Sequence, residues 1–230
     1  MQTLKRSDEL QLDSKNLLDW NWFKKHKILR QVEEMLKNKA ISEILAQLRN
    51  KDPDTFKHCH RVGQLSCWMG SKLGLKRNDL ADLFLAGLMH DVGKINTPDS
   101  ILKKPGSLTD EEFAQMKQHP LDSERLVKRI KDYPYLQKIV RGHHERYDGR
   151  GYPDGLVGED IPLYCRIIFV IDTFDAMTNN RIYRKAISFD EVYEEIKLNA
   201  GKQFDPEIAQ IFVHSHRLLE EDMARDRKAA

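Results

Sequence analysis

The stretch PLYCRIIFVIDTFDAM, Pro162–Met177, decides how the chain is read. Its uninterrupted apolar run, Ile167–Ile171, is far too short to cross a bilayer. Proline opens a helix well, because the first turn needs no donated N–H. From there to about Met177 the residues are apolar on nearly every side, which predicts a helix buried on most of its surface. Inside it sits Asp172, flanked by Phe169, Val170, Ile171 and Phe174. Burying a carboxylate in such company is costly unless it is paired or bound to a metal.

Outward from this helix the signals stay helical, and no alternating pair of strands is found. Lys24–Arg49 reads as one long helix or two short ones, and Asp52-Pro53 breaks it. Asp54–Leu75 is predicted helical, with Val62, Leu65, Trp68 or Met69, and Leu73 on one face. Asp79–Asp91 follows and stops before Gly93. Thr109 with Glu112, and Ser188 with Glu191, are spaced as capping boxes. Pro120 opens a helix, Tyr135–Glu145 is helical by periodicity, and Asp205-Pro206 starts the last one, which carries Ile208, Ile211, Phe212 and Leu218. The expected architecture is an all-α helical bundle over residues 51–220. It has a helical N-terminal extension over 1–50 and a frayed polar tail over 221–230.

The chain of 230 residues has a net charge of only +2, so no basic field argues for a nucleic-acid polymer or a membrane surface. The first sixteen residues contain no apolar signal-peptide core. Cys59, Cys67 and Cys165 form no CxxC and leave one thiol over in any disulfide scheme, so a reducing, cytoplasmic setting is expected.

Nine histidines are present. His26, His214 and His216 sit on charged helix ends and read as surface residues, while His60, two positions after His58, faces away from it. Five remain: His58, His90, His119, and the adjacent His143 and His144 that open the stretch HHERYDGRGYPDG. Taken singly, each is more simply a satisfied core or surface histidine. Together with Asp91 and Asp172 they fit a two-metal site better than one structural zinc. Neighbouring residues on a helix splay by about 100°, so His143 and His144 are expected to serve one ion each, and Asp91, next to His90, to bridge. Imidazole and carboxylate without thiolate suit iron, manganese, nickel or zinc. The glycines after His144 let the backbone turn sharply beside the site. Glu145 and Asp148 are candidate acceptors for the two histidines. Asp175, three residues after Asp172 on the same face, is a candidate to orient a ligand histidine or Lys94, or else a partner for a nearby arginine.

HDVGK at 90–94, HP at 119–120, HHE at 143–145, DGRGYPDG at 148–155 and DTFDAMTNNRIYR at 172–184 together resemble the HD-GYP family, a branch of the HD-domain metal phosphohydrolases, over roughly residues 51–215. The resemblance implies a five-to-seven-helix bundle with a di- or tri-metal centre and phosphodiesterase activity on cyclic di-GMP, giving linear pGpG or GMP. Carried over by position, the metal ligands would be His58, His90, Asp91, His119, His143, His144 and Asp172, with Asp91 bridging. Lys94 matches a lysine near the scissile phosphate, Arg181 and Arg184 match residues that hold substrate phosphates, and Tyr152 is the tyrosine of the signature loop. Members with a third metal have glutamate one turn before the first histidine. Here that position is Asp54, one methylene shorter, so two divalent ions are expected, iron or manganese ahead of nickel or zinc. The alternatives are another cyclic dinucleotide or nucleotide as substrate, or a binding and signalling module with little catalysis. The N-terminal helix is expected either to pair two chains as a homodimer or to fold back on the core, and regulatory protein partners are in keeping with the family.

Overall fold

The structure, a computed structural model, describes residues 28–179 and 186–229, and among them every regular element is a helix. The first two are α1 (Leu29–Leu36) and α2 (Lys39–Lys51), so the N-terminal stretch forms two short helices. They part at Asn38, whose extended backbone and side-chain oxygen cap α2 by accepting from the Ala40 and Ile41 N–H groups. Asp52 caps α3 (Pro53–Lys72) in the same way. α4 (Arg77–Met89) packs tightly on α3 because two glycines meet at the crossing: a Cβ on Gly87 would lie 2.7 Å from the Gly63 Cα.

A 3₁₀ turn, Val92–Asn96, leads to α5 (Asp99–Leu102) and α6 (Asp110–Met116). α6 opens on the capping box of Thr109 and Glu112. α7 (His119–Val127) carries Pro120 in its first turn, and α8 (Leu136–Gly142) stops three residues before the Glu145 expected from periodicity. After the glycine-rich loop, α9 (Leu163–Thr178) runs through the middle of the bundle with Cys165, Ile167, Ile168, Val170, Ile171 and Phe174 buried. α10 (Phe189–Leu198) opens on the second capping box. α11 (Pro206–Ala229) continues the helix through residues read as a frayed tail. Phe174 stacks on Tyr193 of α10 at 5.8 Å and meets Phe212 of α11 at 5.2 Å, which joins the C-terminal helices to the centre.

Ile28, Val32, Met35, Ile41, Ile44, Leu45 and Leu48 are buried in the same apolar core as α9. The described part of the N-terminal stretch thus folds back on the core. The boundary expected near residue 51 falls between two helices that share it. All three cysteines are free and buried. No helix among the described residues is long and apolar enough to cross a membrane.

Candidate metal centre

Three helices end at one place. The last turn of a helix leaves its carbonyls without intrahelical donors, and three histidines use them. His90 Nδ1 donates to the Gly87 carbonyl of α4 (2.7 Å), His119 Nδ1 to the Met116 carbonyl of α6 (2.7 Å), and His143 Nδ1 to the Val140 carbonyl of α8 (2.8 Å). A carbonyl only accepts, so each of these rings carries a proton on Nδ1 and turns Nε2 inward, where a neutral ring presents a bare lone pair.

Those lone pairs converge. His119 Nε2 lies 3.2 Å from His143 Nε2 and 3.1 Å from His144 Nε2. Asp91 sits between two sets of rings. Its Oδ1 is 3.1 Å from His119 Nε2 and 3.7 Å from His143 Nε2, while its Oδ2 is 3.4 Å from His90 Nε2 and 3.7 Å from His58 Nε2. Asp172 Oδ1 completes the second set, 2.9 Å from His58 Nε2 and 3.9 Å from His90 Nε2. Three groups with ion-holding spacing result: Asp91, His119, His143 and His144; His58, His90 and Asp172; and Cys59, His90 and Asp91, which overlaps the other two at the histidine and the aspartate.

Buried imidazole lone pairs aimed at each other have no proton to share, and buried polar atoms are almost always satisfied. Here the His90 Nε2 and the Asp91 Oδ1 are buried without a hydrogen-bond partner. Cations between these atoms would satisfy them all, so the residues fit a pair of metal ions. The electrostatics divide the rings: burial works against a charge on His90, but the neighbouring Asp91 and Cys59 raise it well above its ordinary value. Burial pushes the His143 imidazole down to about 4 and lowers His144 well below its ordinary value, which keeps both rings neutral. Burial works against the Asp91 charge, but Lys94 and His90 hold the carboxyl well below the usual range.

The surroundings fix this arrangement. Lys94 donates to Asp91 Oδ2 in a very short contact. Gly93 lets the 3₁₀ turn press against α7: a Cβ there would lie 2.0 Å from the His119 carbonyl. Ser123 fastens the contact by accepting from the Gly93 N–H (2.8 Å) and donating to the His90 carbonyl (3.0 Å). Gly151 brings the signature loop back onto the end of α8, where a Cβ would be 2.3 Å from the Arg146 nitrogen. Tyr152 then stacks on His144, ring centres 4.9 Å apart.

Several expectations are corrected. α8 ends at Gly142, so the helical splay does not apply to His143 and His144; their ring centres are 4.1 Å apart and both join the group around His119. Glu145 does not support a histidine. It is buried and accepts from the N–H groups of Asp154 (2.6 Å), Gly155 (3.2 Å) and Leu156 (3.1 Å), clamping the loop. Asp148 pairs with Arg146 instead. Asp54, doubtful as a third-ion position because of its shorter side chain, is 76% exposed beside Lys57. Asp175, a candidate to orient a ligand histidine or Lys94 or to pair with an arginine, lies against His58 and Arg61, while Lys94 goes to Asp91. Arg61 was not singled out from the sequence; its only local signal is its place three residues after His58. Arg181 and Arg184 lie outside the described residues.

This helical bundle with clustered histidines and aspartates is that of an HD domain: the family profile of that name matches residues 39–208, and the chain belongs to the HD-domain family, in its HD-GYP branch. It is similar to a cyclic di-GMP phosphodiesterase of Thermotoga maritima, 38% identical over 81% of this chain and 52% of that protein. It is also similar to the cyclic di-GMP phosphodiesterase response regulator RpfG of Xanthomonas campestris, 35% identical over 84% of this chain and 51% of that protein. A 3′3′-cGAMP-specific phosphodiesterase of Vibrio cholerae is 38% identical over 70% of this chain and 37% of that protein. The chain spans about half the length of the first two relatives. Among solved structures, an HDG"Y"P protein of Bdellovibrio bacteriovorus superimposes with a TM-score of 0.61 at 20% identity over 89% of this chain and 66% of that one, a likeness of fold.

Proposed function

We propose that this chain is a metal-dependent phosphodiesterase acting on cyclic di-GMP. The observation that carries the reading is the convergence of imidazole lone pairs on the two oxygens of a single buried aspartate, Asp91. His119, His143 and His144 would hold one divalent ion and His58, His90 and Asp172 the other, with Asp91 shared. Iron or manganese is the proposed pair, though imidazole and carboxylate donors permit nickel and zinc as well. Such a pair of ions neutralises a phosphodiester and makes hydroxide available near neutral pH.

The chain's own groups supply the rest. Lys94, held at Asp91, is placed to offer its ammonium to a phosphate oxygen or to the departing 3′ oxygen. Tyr152 fixes the plane of the His144 ring and lines the approach to it. Arg181 and Arg184 are proposed to grip the phosphates of the substrate, since the guanidinium fork matches their oxygens. Asp54, exposed and paired with Lys57, supports two ions over three. With two ions, pGpG is the expected first product.

The test is incubation of the manganese- or iron-loaded chain with a panel of cyclic dinucleotides, followed by chromatography. Cyclic di-GMP should be opened to pGpG, and Asp91→Ala should abolish the reaction. Turnover of 3′3′-cGAMP alone would move the chain to the substrate of its Vibrio relative. Binding without turnover of any member would leave a signalling module.

A further inference from the structure

One imidazole of the centre is held by a carboxylate. His90, His119 and His143 lean on carbonyls left free at helix ends. His58 lies within α3, where the carbonyls are taken by the helix itself. Its Nδ1 is 2.7 Å from Asp175 Oδ2 instead. Asp175 is buried, and both its oxygens are fully engaged. Oδ1 accepts from Arg61 Nε (2.6 Å) and Asn179 Nδ2 (3.1 Å), and Oδ2 accepts from Arg61 Nη2 (2.8 Å) as well as from His58. A carboxylate gripped by an arginine fork and an amide acts as acceptor only. The proton of the His58 contact therefore sits on the ring, at Nδ1, and Nε2 is left to face Asp172.

We propose that Arg61 and Asp175 are positioning residues for one of the two cations, the one assigned to His58, His90 and Asp172. The arginine fork fixes Asp175, and Asp175 fixes the tautomer and ring plane of His58. At the other position His119 and His143 lean on backbone carbonyls and His144 on the Tyr152 ring. The inference rests on the metal-centre reading above and adds an asymmetry to it: the two ions depend on different parts of the fold. Arg61 is 36% exposed, so its replacement removes the fork without opening the core.

The experiment titrates the metal-free full chain, Arg61→Gln and Asp175→Asn with Mn²⁺ alone, reading bound metal by electron paramagnetic resonance and elemental analysis. The wild type should bind two ions. Each variant should lose affinity at one position by about 10–100-fold, the usual effect of removing a group that orients a ligand, and keep the other unchanged. The double variant should be no worse than either single one. A merely structural role would lower the melting temperature without singling out one ion. Folded variants that keep both affinities, or lose both equally, overturn the proposal. Should Arg61→Gln fail to fold, Arg61→Lys is titrated instead, since an ammonium keeps the charge but cannot engage both oxygens as a fork. A weakened single position there supports the proposal and unchanged affinities overturn it. A wild-type chain that takes up no Mn²⁺ overturns the metal centre itself, a failure distinct from two equal sites in the variants.

Discussion

At the scale of single residues, the centre is a question of which nitrogen holds a proton. Backbone carbonyls at the ends of α4, α6 and α8 put the proton on Nδ1 and turn Nε2 inward. A pH dependence follows for the metal-free chain. Burial lowers the His143 imidazole from its ordinary 6.5 to about 4. Between these values the unfolded chain binds a proton that the folded chain does not, so stability is fully present above pH 6.5 and is lost as the pH falls toward 4. His144 is shifted the same way and acts in the same direction, while His90, raised by Asp91, acts in the opposite one, so two downward shifts stand against one upward. Urea denaturation of metal-free protein at pH 7 and pH 5 should give a lower midpoint at pH 5, and His143→Gln should flatten the difference. An equal midpoint at both values would contradict the burial of neutral rings. The presence of these histidines was legible in the sequence, because five of them fall at helix ends or beside carboxylates. Their grouping was not, because it depends on where α8 stops: two residues later, His143 and His144 would splay apart as helix geometry requires.

At the scale of elements, the helices were readable from their caps and periodicity, and both capping boxes are formed. The signature loop was readable as a turn but not in its support. Glu145 follows two histidines, which made it look like their helper. Its true partners are three backbone N–H groups nine to eleven residues on, an interaction with no periodic signature. Glu145→Ala should therefore free the loop, at a cost of about 1–3 kcal/mol for the donors left without an acceptor. Hydrogen exchange is the direct measurement. The amides of Asp154, Gly155 and Leu156 should lose protection in the variant while those of α9 keep theirs, and unchanged exchange at the three would show that the loop is held by something else. The Arg61–Asp175 pair was hidden for a related reason. Its members are 114 residues apart, so Asp175 can be read as a histidine's helper or an arginine's partner, but nothing local says which histidine or which arginine.

At the scale of the whole molecule, the all-α reading holds, and of the two courses open to the N-terminal helices the described ones take the second, back onto the core. The family motifs begin at His58, so nothing in them marked α1 and α2 as part of the same unit. Yet Ile41, Ile44, Leu45 and Leu48 are fully buried with the rest. Burial of one such side chain contributes about 1.5–3 kcal/mol, against a total stability of about 5–15 kcal/mol for a typical domain. A chain starting at Asp52 should accordingly lose cooperative thermal unfolding, as followed by circular dichroism. A sharp transition at the full-length midpoint would restore the boundary near residue 51. The central claim is that seven imidazole and carboxylate groups from across the chain share two cations, and elemental analysis of anaerobically purified protein tests it most directly. Two transition-metal ions per chain in the wild type, falling sharply in His90→Ala and in Asp91→Ala, is the predicted result; a wild type without bound metal, or variants that keep both ions, would contradict it.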